Sequence, residues 1–82
     1  MKSIYTNRAL AYIKLGKFKK AIKDCTNVIE YMEVFEKSAD NKDICFKAHL
    51  RRALANKELK NYTEALEDAS TALKYYPNDK QA

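Results

Sequence analysis

An all-α fold of about four helices, arranged as two successive antiparallel pairs, is predicted by three features of this sequence. It has one glycine and one proline among 82 residues, too little punctuation for the turns of an all-β chain. It is rich in Ala, Leu, Lys and Glu, the residues that lose least on entering a helix. It also repeats itself: Arg8-Ala9-Leu10-Ala11 returns 44 residues later as Arg52-Ala53-Leu54-Ala55. At the same offset Leu15 meets Leu59, Phe18 meets Tyr62, Ala21 meets Ala65, Asp24 meets Asp68 and Tyr31 meets Tyr75.

The elements follow in order. Apolar residues step at helical spacing through Leu10 and Ile13, then through Ala21, Ile22, Cys25, Val28 and Ile29. They predict helices from Ser3 to Leu15 and from Phe18 to about Lys37, separated at Gly16, which tolerates the left-handed conformation that ends a helix. The second copy predicts helices from Asp43 to Leu59 and from Tyr62 to Tyr75. Asn61 and Glu64 fit an N-cap and the third-position acid of a capping box, and Pro77 closes the last helix. Asp40-Asn41-Lys42-Asp43 reads as the loop between the copies. The domain reading is one fragment over 1–82, with a first unit at 2–35, a connection at 36–45 and a second unit at 46–79.

Composition limits the function. Sixteen basic and eleven acidic residues leave a charge of +5, which favours acidic partners without choosing among nucleic acid, anionic lipid and carboxylate-rich peptide. Cys25 and Cys45 lack metal-like spacing and read as free thiols of a reducing compartment. No run suits a signal peptide or a membrane span, so a cytoplasmic protein with no membrane contact is expected, and the sequon Asn61-Tyr62-Thr63 is taken as accidental. His49, the one histidine, lacks the companions of a triad or metal site and is expected to pack between helices; no enzyme activity, cofactor or metal is predicted. Tyr5, Tyr12, Tyr31, Tyr62, Tyr75 and Tyr76 are expected mostly in the core. Lys17, Lys19, Lys20 and Lys23 read as a solvated outer face.

Gly16-Lys17-Phe18 followed by Ala21, and Asn61-Tyr62 followed by Ala65, Ala72 and Pro77, resemble the tetratricopeptide repeat. The small residues Ala9, Ala53, Ala21 and Ala65 stand where paired helices approach closely. The resemblance covers nearly the whole chain, with two departures. The 44-residue offset exceeds the family's usual 34 residues, which predicts an extended second helix and a longer connection around Glu36 to Cys45. Val28 also replaces a small residue. The family fold is an α-solenoid of stacked helix pairs whose first helices line a concave groove for peptides or partner helices.

The resemblance also implies a site. The second and sixth positions of each unit face the groove in this family: Ser3 and Asn7, then Lys47 and Arg51. Asn7-Arg8-Ala9 and Lys47-Ala48-His49-Leu50-Arg51 resemble the second and third repeats of the carboxylate-clamp co-chaperones, which hold heat-shock chaperone tails ending in Glu-Glu-Val-Asp. Lys14 matches a further basic position, and Leu10, Leu50 and Leu54 form the apolar wall for a residue before the terminal acid. An amide, an ammonium and a forked guanidinium suit the two carboxylates of a C-terminal Asp. Three or four such bonds support a Kd on the order of micromolar. The first repeat of such domains supplies another Lys and Asn, which nothing before Ser3 provides, so the expected clamp is partial and the chain reads as part of a longer protein.

The expected function is therefore a chaperone-tail-binding module of a co-chaperone or assembly factor. Arg51-Arg52-Ala53-Leu54-Ala55 and the long connection resemble repeats of mitochondrial-import co-chaperones and dynein-arm assembly factors. Two alternatives stand beside it: a scaffold that self-associates through exposed repeat ends or holds a partner helix, and an RNA-binding helical repeat, which fits the spacing less well.

Overall fold

In the computed structural model the chain is described over residues 2–35 and 42–75. Four helices follow one another: α1 (Lys2–Lys14), α2 (Phe18–Phe35), α3 (Lys42–Glu58) and α4 (Tyr62–Tyr75). No strand occurs among the described residues. The pairs α1–α2 and α3–α4 each fold back on themselves, and α3 is the hub, packing on α4, on α2 and alongside α1.

Both pairs turn in the same way. After α1 the amide of Lys17 donates to the Tyr12 carbonyl at 2.8 Å and that of Gly16 to Ile13 at 3.0 Å. After α3 the amide of Asn61 donates to Asn56 at 2.8 Å and that of Lys60 to Lys57 at 2.9 Å. This doubled pattern satisfies the last carbonyls of each helix and requires a positive φ at its fifth residue. Gly16 has φ 79°; in the second copy Lys60, a residue with a Cβ, is held at 67°. Asn61 precedes α4 as expected, and its carbonyl receives the Ala65 amide at 3.0 Å. Its side-chain amide turns back to donate to Asn56 Oδ1 at 3.3 Å.

The core is thin and lies between the helices. Ala9, Ala21, Cys25 and Ala55 form one fully enclosed cluster, so that α1, α2 and α3 converge on small side chains. A second cluster of Val28, Ile29, Met32 and Ala48, flanked by Ile44 and Cys45, joins α2 to α3. Each large aliphatic side chain there contributes about 1.5–3 kcal/mol through burial. Enlarging Ala55 would overpack the first cluster at a cost of about 1–3 kcal/mol.

Polar crosslinks repeat with the units. Arg8 grips Asp24 with Nε to Oδ2 and Nη2 to Oδ1, both 2.8 Å, and Arg52 grips Asp68 through the same atoms at the same distances. Arg52 also reaches the first unit, with Nη1 donating to Thr26 Oγ1 at 3.1 Å.

Two expectations change. Lys42 and Asp43, assigned to the loop, are helical: α3 begins at Lys42, one residue before the helix start expected at Asp43, and Asp43 lies in its first turn, where an acid suits the helix dipole. The tyrosines do not form the core: Tyr31 and Tyr62 are exposed, Tyr5 lies at the border of exposure, and Tyr12 and Tyr75 are half-buried. Tyr62 occupies on the second unit the place that Phe18 has on the first, where α3 supplies cover. The far end expected for α2 at Lys37, the segment Asp40-Asn41, and Tyr76 and Pro77 lie outside the described residues.

Candidate functional site

The sequence-predicted groups lie on α1 and α3, and one of them, Arg51, bridges the two helices. Arg51, half-buried on α3, donates from Nη1 to the Thr6 carbonyl at 2.7 Å, a bond that crosses from the second unit to the first. Thr6 is buried, and Asn7, the next residue, is exposed. Arg51 is thus tied to the α1 main chain one residue before Asn7, and a guanidinium's five N–H donors leave it further bonds to offer.

Lys47 lies one turn before Arg51 on α3 and is exposed. Its Nζ pairs with Asp43 Oδ2 at 3.1 Å, a solvent-facing pair four residues apart. An incoming carboxylate would compete with Asp43 for that ammonium. Lys14 is exposed in the last turn of α1, and Leu10, half-buried, lies between Asn7 and Lys14 on the helix surface. Leu50 and Leu54 are exposed and line an apolar cleft of about 460 Å³ on the second unit, together with Ala53, Tyr62, Ala65 and Leu66. Their cleft lies between α3 and α4. The side chain of Ser3 falls outside the described set.

Two residues that hold these basic groups were not singled out from the sequence: Thr6, whose carbonyl engages Arg51, and Asp43, which engages Lys47. The Asp43/Lys47 spacing of four was visible in the sequence as a helix pair. The Thr6 contact was not, because a main-chain acceptor leaves no mark on residue type.

The remaining ionisable groups belong to packing. His49 is buried against Tyr75, ring centroids 5.9 Å apart, and its Nδ1 lies 3.7 Å from Asp68 Oδ1 with no hydrogen-bond partner. Burial, and then the charge of Arg52, pushes its pKa below the ordinary value. Burial pushes the Cys25 thiol up to about 12, against the opposing pull of Arg52 and Arg51. Burial, followed by the neighbouring Cys45, also raises the Tyr75 phenol. Among the described residues no three His, Cys, Asp or Glu side chains are grouped to hold a metal, and no helix is long and apolar enough to cross a membrane.

Comparison with known families matches residues 3–31 and, separately, 46–79 to the tetratricopeptide repeat. The chain belongs to the tetratricopeptide-repeat family. Its two repeats thus coincide with the α1–α2 and α3–α4 pairs, and repeats of this family are protein-interaction modules. The chain is 38% identical over 80 residues to dynein axonemal assembly factor 4 of Pongo pygmaeus, covering 98% of this chain and 19% of that protein. It is 41% identical over 76 residues to human sperm-associated antigen 1, covering 93% and 7%. It is 38% identical over 80 residues to serine/threonine-protein phosphatase T of Aspergillus oryzae, covering 98% and 15%. The chain therefore spans a fifth or less of each of these relatives. No solved structure gives a significant match.

Proposed function

We propose that this pair of tetratricopeptide repeats binds the acidic C-terminal peptide of a heat-shock chaperone, of the Glu-Glu-Val-Asp type, across the α1–α3 seam. The observation that supports the reading is the 2.7 Å bond from Arg51 to the Thr6 carbonyl, which ties the guanidinium to α1 at the residue before Asn7. Arg51 and Lys47 bind the terminal carboxylates, Asn7 contributes an amide, and Lys14 extends the positive seam along α1. Leu10 on α1 adds apolar surface, and Leu50 and Leu54, on the α3–α4 cleft, add more for an apolar residue before the acid.

This function is protein binding without catalysis, in the cytoplasm, within a co-chaperone or assembly factor. The name of one relative, dynein axonemal assembly factor 4, agrees in kind with that role. Fluorescence titration with a labelled peptide ending in Glu-Glu-Val-Asp tests it: binding is expected to fall at least tenfold for Arg51→Ala and for the C-terminally amidated peptide. Equal affinity for the free acid and the amide would remove the clamp.

A further inference from the structure

We propose that the basic edge of the first repeat, at the turn from α1 to α2, is a second protein-binding surface. It docks an acidic segment of a partner protein that carries one large apolar side chain among its carboxylates. The surface is concave: Gly16, Lys17, Phe18, Lys19 and Lys20, around the start of α2, and Leu59, just after α3, line an open cleft of about 350 Å³. Phe18 and Leu59 are half-buried and floor it, whereas Lys17, Lys19 and Lys20 are exposed and rim it. Both walls are internal to the chain, one from each repeat. A side chain at Gly16 would meet no atom within 4 Å, so the mouth is open at that corner.

Charge selects the occupant. Lys23, also exposed, extends the rim one turn on from Lys19 and Lys20. None of these four lysines pairs with a carboxylate among the described residues. Asp24, the next acid along the chain, is held by Arg8 through two bonds of 2.8 Å. The second repeat shows that the fold does not require this charge. At the 44-residue offset Lys17, Lys19, Lys20 and Lys23 become Asn61, Thr63, Glu64 and Glu67, around a turn of the same geometry. α4 therefore has an acid in its first turn, where it favours the helix, and α2 has none. The first repeat forgoes that stabilisation and sets like charges side by side, as a surface completed by an acidic partner would.

The shape excludes other anions. At the small end of ligand sites, which span roughly 300–1,000 Å³, the cleft takes one large side chain with its flanking main chain. Ammonium groups around it meet carboxylates as movable point charges that need no fork. A bilayer surface is flat and does not enter a concavity. A nucleic-acid base needs a free aromatic face; Phe18 is half-buried, and the neighbouring Tyr12 ring already has Arg8 at 5.7 Å and Lys20 at 6.0 Å.

Fluorescence polarisation tests this with a labelled peptide of Asp and Glu around a central Phe, amidated at its C-terminus so that it lacks the free acid the α1–α3 site requires. The wild-type chain is expected to bind it, with affinity falling as salt rises. Lys19→Thr with Lys20→Glu installs the second repeat's own residues at the same helical positions. This variant is expected to bind about tenfold more weakly, with its helical circular dichroism unchanged. Lys17→Asn with Lys23→Glu serves in its place if helicity is lost. Exchanging the peptide's Phe for Ser is expected to weaken binding by a similar factor, because the cleft floor goes unfilled. Arg51→Ala is expected to leave this affinity unchanged, so the two sites fail separately. No binding by the wild-type chain overturns the proposal, as does equal affinity for the Phe and Ser peptides, or for the wild type and the lysine variant. A loss in Arg51→Ala equal to that in the lysine variant assigns the peptide to the other site and also overturns it. So does tighter binding of phosphatidylserine vesicles or of a single-stranded oligonucleotide than of the peptide.

Discussion

Arg52 holds Asp68 through two parallel hydrogen bonds of 2.8 Å and uses its remaining terminal nitrogen to reach Thr26 in the preceding repeat. One side chain thus closes the second repeat and ties it to the first. The Arg8–Asp24 pair reproduces the intra-repeat half of this arrangement, with the arginine side chain 51% exposed against 22% for Arg52. Recurrence at one offset makes the pair part of how each unit closes.

Removing Arg52 leaves the Asp68 carboxylate, 10% exposed, without its main partner. Arg52→Ala is therefore expected to cost about 3 kcal/mol of stability, the usual penalty for breaking rather than replacing a buried pair. Arg8→Ala likewise leaves Asp24, 6% exposed, without its partner, and is expected to cost less only by the bond to Thr26 that Arg52 alone makes and by the greater screening of its exposed guanidinium. Urea midpoints of the two variants measure the difference; equal losses would contradict the bridging role of Arg52.

The left-handed residue after α3 predicts a stabilising change. Lys60 at φ 67° bears a Cβ where Gly16 does not. Lys60→Gly relieves strain of about 1–2 kcal/mol, less what glycine adds to the entropy of the unfolded chain, so a net gain of about 0.5–1 kcal/mol is expected. Gly16→Ala meets no atom within 4 Å and is expected to lose about 1 kcal/mol from backbone strain alone. Thermal unfolding of both variants checks the opposite signs.

His49 predicts an acid-side weakness. Its pKa is depressed in the folded chain, where burial and Arg52 outweigh the attraction of Asp68 and Glu33, and the Tyr75 ring stacks on it. The unfolded chain then binds a proton more readily, so stability is full above the unfolded value of about 6.5 and declines as pH falls below it, toward the folded value. Urea midpoints at pH 7.5 and 5.5 should show a drop that a His49→Gln variant reduces. An identical pH slope in that variant would place the sensitivity elsewhere.

Much of this architecture is legible in the sequence because it rests on periodicity and on small residues. Of the alanines marked as close helix contacts, Ala9, Ala21 and Ala53 are buried while Ala65 is only half-buried, and Gly16 announces its turn by being glycine. Lys60 does not: the hydrogen bonds that force its conformation come from the end of α3, and lysine has no preference for it. Tyr31 and Tyr62 were misplaced because their positions are apolar in the repeat, while their exposure depends on what lies beyond it. Arg8 and Asp24, with their later copies, were visible as recurring residues, but a separation of 16 becomes a contact only when two helices fold back at this particular turn. At the candidate site the sequence singled out Arg51 and Lys47 as donors by residue type and spacing. It did not indicate that Thr6 and Asp43 already hold them.

That prior occupation gives the last prediction. Asp43 engages Lys47 at 3.1 Å with both side chains about half exposed, a pair whose net contribution is small, about 0.3–0.5 kcal/mol. An acidic peptide reaching Lys47 must displace that carboxylate and also approach its charge. Asp43→Asn removes both obstacles and is expected to tighten binding of the Glu-Glu-Val-Asp peptide by about two- to threefold, with the gain shrinking as salt rises. The same change removes an acid from the first turn of α3 and should lower stability by about 0.5 kcal/mol, so affinity and stability move in opposite directions. In an Arg51→Ala background the gain should remain, but on a much weaker baseline, because Lys47 alone offers a point charge without the fork. If Asp43→Asn leaves peptide affinity unchanged at low salt, Lys47 does not touch the ligand, and the anion site reduces to Arg51 and Asn7.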